Sequence, residues 1–203
     1  LAPRTLALVA GGLALLGLLG ALVVVAPLRR PSAPPPPLVQ CIEPPRPTST
    51  LRPLQGITAQ ADSEAASCPL GQGTPPRCHA ALILDGDTKT AWCEGVDGPG
   101  TGQRLRLRLR QEVTVRRVDV VSGGMRPGVL GWQDVGQVEE LDLAAAQQHR
   151  NVRLNLDHRP PRERIVLEPA WRTRELTLTL REPRPGRVYD TLICISEVVV
   201  WIE

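Results

Sequence analysis

Hydrophobic and polar residues alternate along much of the chain between residues 57 and 203, and this period of two restricts the fold more than any other feature. The clearest stretches place Leu or Val at every second position: Leu105 to Leu109, Val152 to Leu156 and Leu176 to Leu180. Because successive side chains of a strand point to opposite faces, each stretch predicts a strand with one buried and one solvated face. Turns rich in glycine, proline and aspartate indicate an antiparallel sandwich or barrel of about eight strands.

Two stretches of this body allow more than one interpretation. The segment from Val138 to Arg150 has some helical character, although Leu141 and Leu143 suit a strand equally well. Arginines occupy the positions between Leu105 and Leu109, where the pattern predicts a solvated sheet face. The alternative for these arginines is a binding site for a heparin-like anion.

The positive charge lies at the N-terminus and not in the body. The chain has a net charge of +3, and Arg4, Arg29 and Arg30 are the only charged residues among the first 40. After them, the basic and acidic residues are equal in number. A neutral body provides no basic field for phosphate, so we predict no nucleic-acid partner.

An uncharged, apolar segment follows a short N-terminal tail, residues 1–5. Residues 6–26 are almost entirely Leu, Val, Ala and Gly, and they would form a helix about 31 Å long, which matches the hydrocarbon core of a bilayer. We predict a transmembrane helix over residues 6–28. The alternative is a cleaved signal peptide, whose apolar run is usually only about 7–15 residues.

Residues 29–56 are rich in proline and predict an extended, semi-rigid stalk between the membrane helix and the domain at 57–203. Five cysteines follow the apolar segment, and none has the spacing of zinc ligands. Disulfides in an oxidising compartment are the expected use, which predicts a single-pass cell-membrane protein with its C-terminal domain outside the cytoplasm. Because the chain starts at Leu1 and not at Met, we expect further sequence upstream.

Two blocks in the body resemble a known family. Residues 81–95 (ALILDGDTKTAWCEG) and 189–198 (YDTLICISEV) are similar to the opening and closing signatures of discoidin-like, or coagulation factor V/VIII type C, domains. They are most similar to the bacterial variety found beside secreted NAD glycohydrolases, a glycan-binding or translocation-type domain. The resemblance implies an all-β, galactose-binding-like jelly-roll sandwich over residues 57–203, in which Trp92 packs in the core.

The resemblance also bears on the cysteines. In this fold the early signature and the last strand lie close together, which implies a disulfide between Cys93 and Cys194. Cys68 and Cys78 flank a loop rich in glycine and proline and are expected to close it. Cys41 is then left in the stalk, where it either links two chains as a disulfide dimer or remains a free thiol.

Many carbohydrate-binding relatives hold a structural calcium ion near the first signature. In this chain the matching oxygen ligands are those of Asp85, Asp87, Thr90 and Glu197. The alternative, which we favour, is that Asp85 and Asp87 cap the turn by accepting backbone N–H groups. No cofactor is predicted to be required, and the calcium of the first alternative would be structural.

The chain contains no nucleophile elbow, phosphate-binding loop or dinucleotide-binding motif, and its three histidines have no companion pattern. We therefore predict a recognition module and not an enzyme. It would bind a glycan or another surface ligand through Trp132, Trp171 and Arg126, because Trp presents a flat apolar face and Arg directional donors. The alternative is an extracellular sensor or scaffold domain that makes protein contacts and belongs to a larger membrane protein with a cytoplasmic N-terminal part.

Overall fold

The structure is a computed structural model that describes residues 50–70 and 78–203, all of which belong to the unit Pro47–Glu203. The predicted tail, the predicted transmembrane helix at 6–28, most of the predicted stalk and Cys41 lie outside the described residues. Among the residues described, no helix has both the length and the apolar character needed to cross a bilayer.

Strands dominate the described chain, and one short 3₁₀ helix, Ala80–Leu84, precedes the third strand. The strands are β1 Arg52–Pro53, β2 Thr58–Ala61, β3 Trp92–Cys93, β4 Arg104–Ser122, β5 Val135–Ala145, β6 Gln148–Arg153, β7 Arg162–Arg184 and β8 Tyr189–Ile202. β1 falls within the range predicted as stalk and pairs with the C-terminal end of β8.

The strands form one hydrogen-bonded path in the order β1-β8-β4-β7-β5-β6, with β2 on β4 and β3 on β8. Strand β5 also pairs with β8, in the parallel direction, so the path from β8 through β4, β7 and β5 returns to β8. The other pairings are antiparallel. This arrangement is a jelly-roll β-sandwich, and it confirms the predicted fold class.

The alternating leucines fill the core. Four leucines of β4 and β7 are completely buried. Leu105 lies opposite Leu178, and Leu107 lies opposite Leu176. Trp92 is also fully buried, and its indole Nε1 donates a hydrogen bond to the carbonyl of Ser63 at 2.8 Å. Burial of such a large apolar side chain is favourable because its only hydrogen-bond donor is satisfied. Trp92 therefore packs in the core, as the resemblance implied.

The sheet decides the secondary structure of the first ambiguous stretch and shows the partners of the arginines in the second. Residues 138–150 contribute to β5 and β6, so the helical alternative does not hold. On the polar face of β4, Arg104 and Arg106 both pair with Asp62, at 2.9 and 2.7 Å, and Arg108 pairs with Glu175 at 3.3 Å. These guanidinium groups have carboxylate partners on neighbouring segments, as expected for a solvated face.

Candidate functional site

Strand β3 joins the first signature block to the last strand. Trp92 and Cys93 pair with Ile195 and Cys194 of β8, and the N–H of Glu94 donates to the carbonyl of Ile193 at 3.1 Å. These contacts fix the loops that leave β3 beside the start of β8. Two of the cavities described below take lining residues from the segments next to this junction.

Two disulfides lie at the junction. Cys93 is bonded to Cys194, across 101 residues of sequence, and Cys68 is bonded to Cys78. All four cysteines are at most 3% exposed. They are the pairs that the sequence suggested.

A cavity of about 290 Å³ opens where the loops meet, and we call it the loop-end pocket. Its walls come from three segments, residues 65–69, residues 94–96 and the start of β8 at Tyr189, Thr191 and Leu192. Tyr189 and Val96 are 39% and 40% exposed, and they are two of the five exposed large apolar side chains among the described residues. The pocket thus combines apolar surface with hydroxyl groups.

Glu94 also lines the loop-end pocket, and it is almost completely buried. Its carboxylate accepts hydrogen bonds from the backbone N–H of Val96, at 2.9 Å, and of Ile193, at 3.4 Å. Burial raises the pKa of Glu94, although these two N–H groups partly oppose the change. The carboxyl group therefore holds the 94–96 loop against β8.

Arg126 and Trp132, two of the three predicted ligand contacts, lie in the loop between β4 and β5, and neither lines the loop-end pocket itself. Arg126 is exposed, and its guanidinium donates to the carbonyl of Pro69 in the pocket wall at 3.5 Å. Trp132 is only 9% exposed. Two residues later, the carbonyl of Asp134 accepts the N–H of Tyr189 at 2.8 Å, which ties this loop to the other wall.

Trp171, the third predicted contact, lies elsewhere. It pairs with Val115 on β4, about eight residues or roughly 26 Å of strand from the Gly123 loop, and it is 6% exposed. There it lines a separate groove of about 690 Å³ with His149 and Arg150. The structure therefore groups Arg126 and Trp132 and separates Trp171 from both.

Sequence reasoning did not single out Tyr189 or Val96, which line the loop-end pocket. The available signal was that Tyr189 is the only tyrosine of the chain and opens the closing signature block. The exposure of Val96 depends on how the 94–102 loop leaves β3, which no local pattern shows.

Three of the four residues of the predicted calcium site, Asp85, Asp87 and Thr90, occupy a tight turn after the 3₁₀ helix. One oxygen of Asp85 accepts the N–H of Asp87 at 2.8 Å, and the other accepts the hydroxyl of Thr90 at 2.7 Å. Asp87 in turn accepts the N–H of Lys89 at 3.0 Å. The expected turn-capping role of both aspartates is therefore visible in these hydrogen bonds.

Glu197 faces this turn from β8. It is 5% exposed, and together with Asp85 and Gly86 it lines a cavity of about 320 Å³ that residues 53–57 cover on one side. We call this cavity the acidic pocket. The Oε2 atom of Glu197 is buried and has no hydrogen-bond partner among the described residues. Burial, together with the negative charge of Asp85, raises the pKa of Glu197 to about 7.

A hard divalent cation fits this arrangement. The orphaned Oε2 of Glu197 and the carboxylate of Asp85 are both oxygen donors in one cavity, and calcium takes such ligands from carboxylates, carbonyls and hydroxyls. Turn capping does not exclude this use, because a carboxylate oxygen has a second lone pair after it accepts one hydrogen bond.

Comparison with known families identifies the fold. The profile of the NAD glycohydrolase translocation F5/8 type C domain matches residues 56–201. The chain therefore belongs to this family of discoidin-like domains, which confirms the resemblance seen in its two signature blocks. Among curated proteins, none matches the chain.

Solved structures agree on the architecture. CpGH89CBM32-5 from Clostridium perfringens, in complex with GalNAc-β-1,3-galactose, superposes with a TM-score of 0.50 at 16% identity over 71% of this chain and 94% of that one. A variant of the lectin binding domain of Lectinolysin, complexed with Lewis b, gives 0.50 at 11% identity over 73% and 93%. Arabinofuranosyltransferase AftD from Mycobacteria gives 0.53 at 19% identity over 76% of this chain but 12% of that one. At these identities the likeness shows the fold.

Because the Glu197 carboxyl is buried, we expect the stability of the folded domain to depend on pH when divalent cations are removed with a chelator. Its folded pKa of about 7 exceeds the ordinary value of 4.5, so the native state holds the proton more tightly. This stabilisation is complete below the ordinary value and is lost as pH rises through about 7. We expect the free energy of unfolding to fall between about pH 5 and pH 8, by on the order of 1 kcal/mol.

Urea titrations of wild type and Glu197→Gln measure this effect. The glutamine variant should show a flatter profile over the same range, since its side chain does not ionise. Glu168→Gln, at an exposed position, serves as the control and should keep the wild-type slope. A Glu197→Gln profile as steep as that of wild type would contradict the assignment.

Proposed function

We propose that this domain is a recognition module that binds a glycan at the loop-end pocket and does not transform it. The observation that supports the proposal is the exposed Tyr189 and Val96 in a cavity of about 290 Å³ on a discoidin-like sandwich. Three similar folds support it further, because the solved complexes of CpGH89CBM32-5 and Lectinolysin contain saccharides and AftD is named as an arabinofuranosyltransferase.

The residues of the pocket have complementary roles in this proposal. The ring of Tyr189 offers a flat face to the C–H groups of a sugar, and its hydroxyl stays available to water or ligand. Ser67 and Thr191 provide hydroxyls in the walls, and Arg126 brings guanidinium donors to the rim. The cavity lies at the lower end of the range for ligand pockets, which suits one terminal sugar or a disaccharide.

Tyr189→Ala is expected to weaken glycan binding about tenfold, which corresponds to about 1.4 kcal/mol, because the stacking face is lost. Tyr189→Phe should keep most of the affinity. Binding is measured by screening the full chain in detergent on a glycan array, with galactose and GalNAc-β-1,3-galactose as soluble probes in NMR titrations. Mass spectrometry of the recovered probe should show it unchanged.

Val166→Ala is the matched control, since Val166 is an exposed apolar residue, 44% exposed, beside the separate groove of Trp171. It should bind as wild type does. Saturable binding that survives Tyr189→Ala would place the ligand elsewhere, and a chain that binds no glycan on the array would contradict the proposed function.

We further propose that the acidic pocket holds one structural calcium ion, with Asp85 and Glu197 as carboxylate ligands and Asp87 and Thr90 completing the oxygen set. The ion would neutralise the buried carboxylate of Glu197 and the exposed carboxylate of Asp85, which line the same cavity. Because residues 53–57 and the β8 strand also line this cavity, occupation should stabilise the whole domain and not only the turn.

Calcium at 1 mM is expected to raise the melting temperature of the full chain by several degrees relative to the chelated protein, since a ligand that binds only the folded state adds about 2.7 kcal/mol at 100 times its Kd. The shift, measured by differential scanning fluorimetry, should disappear in Glu197→Gln. Asp190→Asn, which changes an exposed aspartate outside the acidic pocket, should retain it. An equal shift in wild type and Glu197→Gln would contradict the site.

We propose that the module is displayed outside the cytoplasm by the apolar segment at 6–28 and the proline-rich stalk at 29–56. The two cystines of the domain support this location, because disulfides persist in oxidising compartments. The length of the apolar segment supports an uncleaved span.

Cell fractionation should recover the full chain in carbonate-washed membranes, and a chain that lacks residues 6–28 should appear in the aqueous fraction. In intact cells, Cys41 should react with a membrane-impermeant maleimide or form a disulfide-linked dimer on a non-reducing gel. Cys41→Ser should abolish both signals. A full chain recovered in the aqueous fraction would contradict the anchor. A Cys41 thiol that reacts only after lysis would contradict the orientation.

A further inference from the structure

The two disulfides touch each other. The Sγ atom of Cys78 lies 3.2 Å from the Sγ atom of Cys93, although each is bonded to a different partner. The sulfur atoms of Cys68, Cys78 and Cys93 all lie within 4.8 Å of one another. These four cysteines, the cystine cluster, pack with a small apolar group that includes Leu70 and Val135, apart from the main core.

The proximity of these sulfur atoms favours thiol–disulfide exchange over metal binding. Three sulfur atoms at this spacing would also suit a soft metal ion, but metal ligation requires thiolates, and here every sulfur is held in a disulfide. Disulfides exchange when a thiolate attacks a disulfide sulfur. A thiolate on Cys78 would already be in contact with such a sulfur.

We propose that the cystine cluster is a thiol–disulfide exchange site that passes reduction of Cys68–Cys78 on to Cys93–Cys194. A small thiol attacks Sγ of Cys68, the most exposed of the four cysteines at 3%, forms a mixed disulfide there and releases the Cys78 thiolate. That thiolate attacks Sγ of Cys93, the Cys78–Cys93 bond forms, and Cys194 leaves as a thiolate that takes a proton. A second thiol resolves the mixed disulfide on Cys68.

The electrons balance in this sequence. Two external thiols become one external disulfide, and two protein disulfides become one disulfide and two thiols, on Cys68 and Cys194.

The exchange does not depend on the proposed glycan role. Its position nevertheless matters to the loop-end pocket, because Cys68 lies between Ser67 and Pro69, Cys93 precedes Glu94, and Cys194 follows Leu192 by two residues.

The variant Cys68→Ser tests the transfer step without any external reductant. It leaves Cys78 as a thiol in contact with Cys93, in a full chain that also carries Cys41→Ser so that no other thiol interferes. Because similar disulfides exchange with little change in free energy, we expect on the order of one half of the molecules to contain Cys78–Cys93 and a free Cys194. The remainder should keep Cys93–Cys194.

Peptide mapping reads the result directly. Trypsin sites at Arg77, Lys89 and Arg104 place the four cysteines in separate peptides, so each disulfide gives a distinct linked mass after acid quenching and unfolding in excess N-ethylmaleimide. Cys68→Ser with Cys78→Ser is the matched control, since it has no internal thiol and should contain only Cys93–Cys194. The proposal is overturned when the single variant also contains only Cys93–Cys194, with the maleimide on Cys78.

A second measurement applies to the wild-type cluster, and it decides the matter where Cys68→Ser does not fold. The Cys41→Ser chain is treated with a low concentration of a small dithiol and sampled over time. We expect the Cys78–Cys93 peptide to appear together with maleimide on Cys68 and Cys194. Maleimide on Cys68 and Cys78 alone, with Cys93–Cys194 intact throughout, overturns the proposal.

Discussion

The domain depends on the pairing of β3 with β8. This short antiparallel contact places Trp92 and Cys93 opposite Ile195 and Cys194, and a disulfide covalently fixes the same register. Closure of a loop of about 100 residues restricts the unfolded chain by up to about 4.7 kcal/mol in the chain-entropy account. The remote signature blocks are thereby held together, and every candidate site in the domain takes side chains from one of them.

The sequence predicted the elements that obey local rules. Alternating leucines in β4 and β7 produce strands because one face must be buried, and Trp92 is buried as expected. The signature blocks supplied what alternation cannot, namely the closure of residues 92–93 onto the last strand. The end of the stalk was less accessible to such reasoning, since Arg52–Pro53 pair with β8 in a segment whose composition resembles a linker.

The site was predicted less completely, for physical reasons. Residue type alone favours Trp as the face on which a sugar would stack. Packing of the loops and strands nevertheless leaves Tyr189 exposed and nearly buries Trp132 and Trp171. Similarly, the four predicted calcium ligands were identified from their places in the two signature blocks. The orphaned Oε2 of Glu197 is a property of the tertiary structure, because it depends on residues 53–57 covering the cavity.

Strand β8 connects the proposed functions physically. Leu192 lines the loop-end pocket, Cys194 belongs to the cystine cluster, and Glu197 lines the acidic pocket, so about 17 Å of one buried strand carries all three. A rigid, largely buried strand allows little independent adjustment at either end. A substitution that loosens β8 at Glu197 or Cys194 therefore changes the shape of the loop-end pocket as well as stability. For this reason Tyr189, whose side chain is exposed at the start of the strand, is the position where the proposed ligand contact separates most cleanly from folding.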